Sequence, residues 1–136
     1  MSYAAAGALQ KAVFAALTQD AGVSAALGGA VYDAVPAGVL PEVYAILGPE
    51  EVRSRGDSSG ATAQHDFTIS VVSSAQGFAV AKAAAGAISE ALSGADLAME
   101  RGVLSDLVLR KSRALRLQGG AERRIDMRFR ARLDDF

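Results

Sequence analysis

The sequence predicts an α+β domain: a single, mostly antiparallel sheet of four or five strands with helices packed on one face, an α/β sandwich. Three observations predict it. Ile125, Met127, Phe129, Ala131 and Leu133 alternate with Asp126, Arg128, Arg130 and Arg132, the period of two expected of a half-buried strand. Val103–Leu117 carries Leu107, Leu109, Leu115 and Leu117 among Arg110, Lys111, Arg113 and Arg116, and Gly119-Gly120 separates it from the alternating stretch. The two read together as a long antiparallel hairpin with a basic outer face. Alanine-rich stretches at 3–18 and 78–92 repeat their apolar residues at helical spacing.

The elements follow in order. In residues 3–18, Ala6, Leu9, Val13 and Leu17 form the stripe of a first helix, flanked by Phe14, with Ser2 as its expected N-cap. Asp20 is placed to cap a short second helix that runs to Leu27 and ends at Gly28-Gly29. Residues 30–35 read as a short strand closed by Pro36, and the segment from Pro36 to Pro41 as a bounded connector. Residues 42–47 read as a strand inside the sheet, ended by Gly48-Pro49. Residues 50–63, rich in Gly, Ser and charge, have no hydrophobic period and predict a mobile loop between two strands. Residues 64–74 read as a strand with Phe67, Ile69 and Val71 on one face and Asp66, Thr68 and Ser70 on the other. Ser73 and Gln76 have capping-box spacing for the next helix, whose inward stripe is Val80, Ala84, Ile88, Ala91 and Leu92. A brief extended piece at 97–99 precedes the hairpin. Residues 1–136 form one domain, with no internal repeat.

Composition narrows the function classes. Apolar residues make up 51% and charged residues 21%, which excludes general disorder. The chain has no cysteine, so disulfides and thiolate metal sites are excluded. No apolar run is long enough to span a membrane, and the N-terminus lacks a basic n-region, so a soluble intracellular protein with no membrane partner is expected. Net charge is −1 but uneven: residues 1–100 hold 4 basic and 10 acidic side chains, residues 101–136 hold 10 basic and 5 acidic. An acidic body and a basic hairpin suit self-association between copies.

No pattern announces catalysis. His65 is the single histidine, with Asp66 beside it on the opposite strand face, and reads as a solvated or interface side chain. No nucleophile elbow, phosphate-binding glycine pattern or metal-ligand spacing is present, so no enzyme, no cofactor and no metal are expected. The Arg55-Gly56-Asp57 tripeptide reads as a solvated turn. The hairpin arginines could line a nucleic-acid surface. Aromatic interleaving is missing, however, and the pI is about 5.8, so direct nucleic-acid binding is the lesser alternative.

Over nearly its whole length the chain resembles the tail completion, or tail terminator, proteins of long-tailed phages and gene transfer agents. The resemblance rests on the order of its parts. An Ala/Leu-rich first helix precedes Val31-Tyr32-Asp33-Ala34-Val35-Pro36, then the run from Leu40-Pro41 through Tyr44 to Gly48-Pro49. After the polar loop comes the strand from His65 to Ser73, a helix, and a last strand with alternating arginines. Glu42 and Val43 stand between Pro41 and Tyr44, where the family more often puts the aromatic directly after the proline. The resemblance implies a structural virion protein. Members of that family form a hexameric ring that caps the tail tube, ends tube polymerisation and joins the tail to the head-side connector, and the same is expected of this chain. It would assemble in the host cytoplasm and finish in the virion or gene transfer agent tail. Expected partners are copies of itself, the tail tube protein and the connector protein. On that reading Arg110, Arg113, Arg128, Arg130 and Arg132 are expected at subunit or tube-facing surfaces. Arg53, Arg55 and Asp57 are expected as loop contacts to neighbouring tail proteins.

Overall fold

The computed structural model describes residues 3–55 and 60–135. The expected N-cap Ser2 lies outside them. Helix α1 (Ala6–Gln19) starts at Ala5 without a side-chain cap and buries the expected stripe, with Leu9, Val13 and Leu17 nearly inaccessible. Helix α2 (Ala21–Leu27) is capped as expected: the Asp20 carboxylate accepts from the Val23 N–H at 3.0 Å. Gly28, at φ 57°, closes it in the left-handed conformation that glycine adopts without a Cβ penalty.

Five strands form one sheet, β1 (Val31–Tyr32), β2 (Val43–Ser54), β3 (Thr62–Ser73), β4 (Val103–Leu117) and β5 (Glu122–Asp134), in the order β1-β2-β3-β5-β4. The α+β expectation therefore holds. The β2–β3, β3–β5 and β4–β5 pairs are antiparallel, and only the two-residue β1 pairs parallel, to β2. The β4–β5 hairpin is present, turned by a 3-10 turn at Gln118–Gly120. Helix α3 (Ala79–Leu92) joins α1 and α2 on one sheet face. There Leu9, Leu17 and Ile88 meet Ile69, Val71, Met127 and Phe129, and Phe67 stacks on Phe129 at 5.5 Å between ring centroids. Ala81 and Ala84, both fully buried, let α3 lie close to the sheet.

Several expectations are corrected. Strand β1 is two residues long rather than spanning 30–35. Gly48-Pro49 does not end β2. The two residues together oppose Thr68 in a bulge, and pairing resumes at Glu50↔Phe67. Proline is tolerated there because β1 covers β2 only at Ala45 and Ile46, so that stretch is a sheet edge with no N–H required on its outer side. Gly48 suits the bulge, since a Cβ there would press tightly on the Thr68 carbonyl oxygen, 3.2 Å away. The loop expected over 50–63 shrinks accordingly. Residues 50–54 belong to β2, and Thr62 and Ala63 to β3. The capping box is absent: Ser73 Oγ instead accepts from the Ala75 N–H at 3.1 Å, and Phe78 caps α3 without a side-chain bond. In α3 the inward stripe is Ala81, Ala84, Ala85, Ile88 and Leu92, with Val80 and Ala91 half-buried.

Strand β4 has register shifts between Leu104 and Asp106 and between Leu109 and Lys111. Each shift reverses the side-chain parity. Leu107 and Leu109 therefore face the helices, whereas Leu115 and Leu117 pair with Arg124 and Glu122 on the opposite face.

Candidate assembly interface

The helices cover one face of the sheet and leave the other open. Alternation in β5 puts Arg124, Asp126, Arg128, Arg130 and Arg132 on the open face, because Ile125, Met127, Phe129, Ala131 and Leu133 are committed to the core. Cross-strand register then fixes their neighbours. One row runs Glu51–Asp66–Arg130–Val108, the next on one side Arg53–Gln64–Arg132–Asp106, and on the other Thr68–Arg128–Lys111. A further row holds Ser70, Asp126 and Arg113.

The open face is a mixed-charge surface rather than a uniformly basic one. Arg130 Nε donates to Asp66 Oδ1 at 2.9 Å, and Gln64 Nε2 donates to Asp66 Oδ2 at 2.9 Å. Ser70 Oγ donates to Asp126 Oδ1 at 2.6 Å, and Arg124 pairs with the same carboxylate at 3.0 Å. Burial of Asp66 is the largest single influence on its carboxyl and would raise its pKa. The hydrogen bonds from Arg130 and Gln64, with the charges of Arg130 and Arg53, together outweigh burial and hold it below the ordinary value. Asp66, Asp126, Arg124 and Arg128 line a broad cleft of about 520 Å³ on this face, with Lys111 and Arg113 at its β4 side. Lys111, Arg113, Arg128 and Arg132 have no ion-pair partner among the described residues. On the open face these four are the cations left over for a partner.

Four of the five expected interface arginines, Arg113, Arg128, Arg130 and Arg132, thus share the open face. Arg130 differs from the others because its charge is already answered within the chain. Arg110 is the extra residue of the β4 bulge, exposed on the free edge. Of the expected loop contacts, Arg53 lies in β2 on the open face, 3.4 Å from Glu51. Arg55 is exposed at the end of the β2–β3 hairpin, its N–H donating to the Thr62 carbonyl. Asp57 lies outside the described residues.

His65 is neither solvated nor at a surface. It is 0% exposed, on the core face between Val52 and Ala131. Its parity with Phe67, Ile69 and Val71 was the signal for this. Its Nδ1 lies 3.5 Å from Glu50 Oε2, and Glu50 Oε1 accepts the Tyr3 O–H at 2.6 Å. That hydrogen bond to Glu50 pushes the Tyr3 phenol above its ordinary pKa. The chain Tyr3–Glu50–His65 clasps the residues ahead of α1 onto β2. The bulge absorbs the extra residue at 48–49 and so keeps Glu50 on the core face. Among the described residues no group of three or more His, Asp or Glu side chains is placed to hold a metal ion, and no helix is long and apolar enough to cross a membrane.

Two features escaped sequence reasoning. Phe78 is ringed by Lys82, Arg116 and Arg123, with cations 5.5 to 6.0 Å from its ring centroid. At the same end of the sheet, Tyr44 and Val72 on the open face form a small apolar cluster with Ala30, supported by Tyr32, Leu40 and Ile46.

This open sheet over a helical layer belongs to a structural virion tail protein. The family model for tail completion protein gp17 matches residues 11–134, and the chain belongs to that family. Among solved structures 17 chains match. One, from the virion of a native gene transfer agent particle, is 53% identical, superposes with a TM-score of 0.93, and is matched over 98% of this chain and 99% of its own. The family and this neighbour are structural virion components. A search of curated proteins gives no match.

Proposed function

We propose that this protein is a subunit of a ring, hexameric as the family resemblance implies, that caps the tail tube, ends its polymerisation and presents a surface to the head-side connector. It folds and assembles in the host cytoplasm and ends in the tail of the particle. One observation carries the reading: full-length similarity at 53% identity to a chain of an assembled gene transfer agent virion. The surface supports it. A closed ring of identical subunits needs two different patches on each copy, and the two edges of this sheet differ, one being the two-residue β1 and the other the fifteen-residue β4. A long free edge is a site for further pairing unless a neighbour covers it. Lys111, Arg113, Arg128 and Arg132 are then contacts to a subunit or to the tube, with Arg110 on the free edge. Arg53 and Arg55, near the end of β2, and Asp57 meet the neighbouring tail protein.

The test is the mass in solution by light scattering at low and high salt. A six-fold mass supports the ring, and dissociation by salt assigns the contact to the unpaired cations. Charge reversal at Arg128 or Arg132 that leaves tail assembly unchanged counts against the arginine assignment. Removal of the hairpin tip that leaves head–tail joining intact counts against the loop assignment. A nucleic-acid role for the same cations is disfavoured by Asp66 and Asp126, whose carboxylates stand between them. Retardation of nucleic acid that weakens steeply with salt would revive it.

A further inference from the structure

The connector between β1 and β2 is apolar yet uncovered. Eight uncharged residues, from Ala34 to Pro41, run between Asp33 and Glu42. Val39 is 101% exposed and Val35 is 40% exposed. All of these residues but the half-buried Leu40 are exposed, and a contiguous exposed apolar stretch of this kind marks an interaction site.

The molecule carries an apolar groove at its other margin. Between α3 and the outer half of β4 lies a depression of about 300 Å³, walled by Ala85, Gly86 and Ala114 and floored by Leu109, Ile125 and Met127. Lys82 stands at its rim. Arg116 and Arg123 follow one step along the same face, gathered with Lys82 round Phe78. None of these three cations has an ion-pair partner among the described residues. The loop is flanked by two exposed carboxylates and the groove by three unanswered cations, so the surfaces match in both polarity and charge.

Their placement also matches. Val31 of β1 lies in the row Val31–Ala45–Val71–Ile125–Ala114, so the strand that launches the loop is level with the groove wall. The two sites stand at opposite edges of the sheet, about 19 Å apart at four inter-strand spacings, and at the same height along the strands. A contact joining opposite edges at one height repeats from copy to copy without climbing, as a closed ring requires.

We propose that the 34–41 loop of one copy docks in the α3–β4 groove of the next, with Asp33 and Glu42 meeting Lys82, Arg116 and Arg123 of that neighbour. The inference rests on the ring reading and names its subunit contact. The occupant of the groove is a second copy of this chain.

The chain has no cysteine, so the full-length double variant Val39→Cys/Ser112→Cys is a clean test. Both positions are exposed, and within one chain they are too far apart to bridge, since a disulfide needs Cα atoms within about 7 Å. Mild oxidation is expected to give a ladder of covalent multimers that collapses on reduction. Val39→Cys/Val103→Cys, whose second cysteine lies at the far end of β4, is the control and should give no covalent multimers. Val39→Asp, alone, should raise the concentration at which oligomers dissociate by about tenfold or more. No ladder from a preparation that light scattering shows to be oligomeric overturns the docking and leaves the ring intact. No ladder from protein that is monomeric in solution and absent from assembled tails overturns both. In assembled tails, a disulfide or photo-crosslink from position 39 to a different tail protein also overturns the docking, and assigns the loop to that protein.

Discussion

Replacing Asp66 by Asn tests whether the open face is held by its own charge pairs. The carboxylate is 11% exposed and receives Arg130 Nε and Gln64 Nε2 at 2.9 Å each. A hydrogen bond to a charged group contributes roughly 1.5–3 kcal/mol. Arg130 is 40% exposed, so solvent screening discounts its share, and the expected loss is about 1–2 kcal/mol. At roughly 4 °C per kcal/mol for a chain of this length, the unfolding midpoint should fall by about 4–8 °C. A double-mutant cycle with Arg130→Met, followed by urea unfolding, should give a coupling near 1 kcal/mol. The acid limb supplies a second check. The native carboxyl lies below its ordinary pKa, so its stabilisation is complete above the unfolded value of about 3.9 and is lost as pH falls through the lower native value. The gap between wild type and Asp66→Asn should therefore be constant at neutral pH and close only in strong acid. A coupling under about 0.3 kcal/mol, or a gap unchanged in strong acid, would refute the reasoning.

Other expectations follow from single contacts. Phe129→Ala removes a fully buried ring stacked on Phe67 and should cost about 3–5 kcal/mol in urea unfolding. Asp20→Ala leaves the Val23 N–H without its cap and should cost about 1 kcal/mol, with the loss of hydrogen-exchange protection confined to α2. Deleting Pro49 lets Gly48 alone oppose Thr68 and keeps Glu50 opposite Phe67. The variant should fold with His65 still buried and Glu50 beside it, which imidazole NMR exchange reports, whereas deleting Glu51 keeps Leu47 and Val52 in step but turns Glu50 to the open face and should break its contact with His65.

What could be read from sequence was what one-sided burial writes into it. The alternation of β5 was legible because every second residue meets the helices. The α2 cap was legible because Asp20 and Gly28 each have one local job. The full length of β2 was hidden: Gly48-Pro49 is turn chemistry when read locally, and only pairing with Thr68 shows it to be a bulge. The same blindness hid the face of Leu115 and Leu117, because a bulge at Arg110 resets parity and leaves no periodic trace. His65 was misjudged by residue type, although its parity with Phe67 gave its face. The charge partition between body and hairpin was real in sequence, but β5 inserts beside β3. Arg130 is therefore matched to Asp66 of the same chain, a pairing that only topology could show.

Both outer ladders break at one level. The extra residue of β2 stands opposite Thr68, Thr68 pairs with Arg128, and Arg128 pairs with Lys111 next to the extra residue of β4. Between them β3 and β5 run twelve pairs without interruption, from Thr62↔Asp134 to Ser73↔Arg123. The margins are thus longer than the midline, and a sheet so cut cannot lie flat. It also divides the chain by its tolerance of length change. An insertion or deletion in β2 or β4 disturbs the ladder on one side and meets strands that already carry a spare residue. The same change in β3 or β5 puts two ladders out of step at once. Among natural variants of this protein, length differences within the sheet should collect in the outer strands and be missing from the central pair.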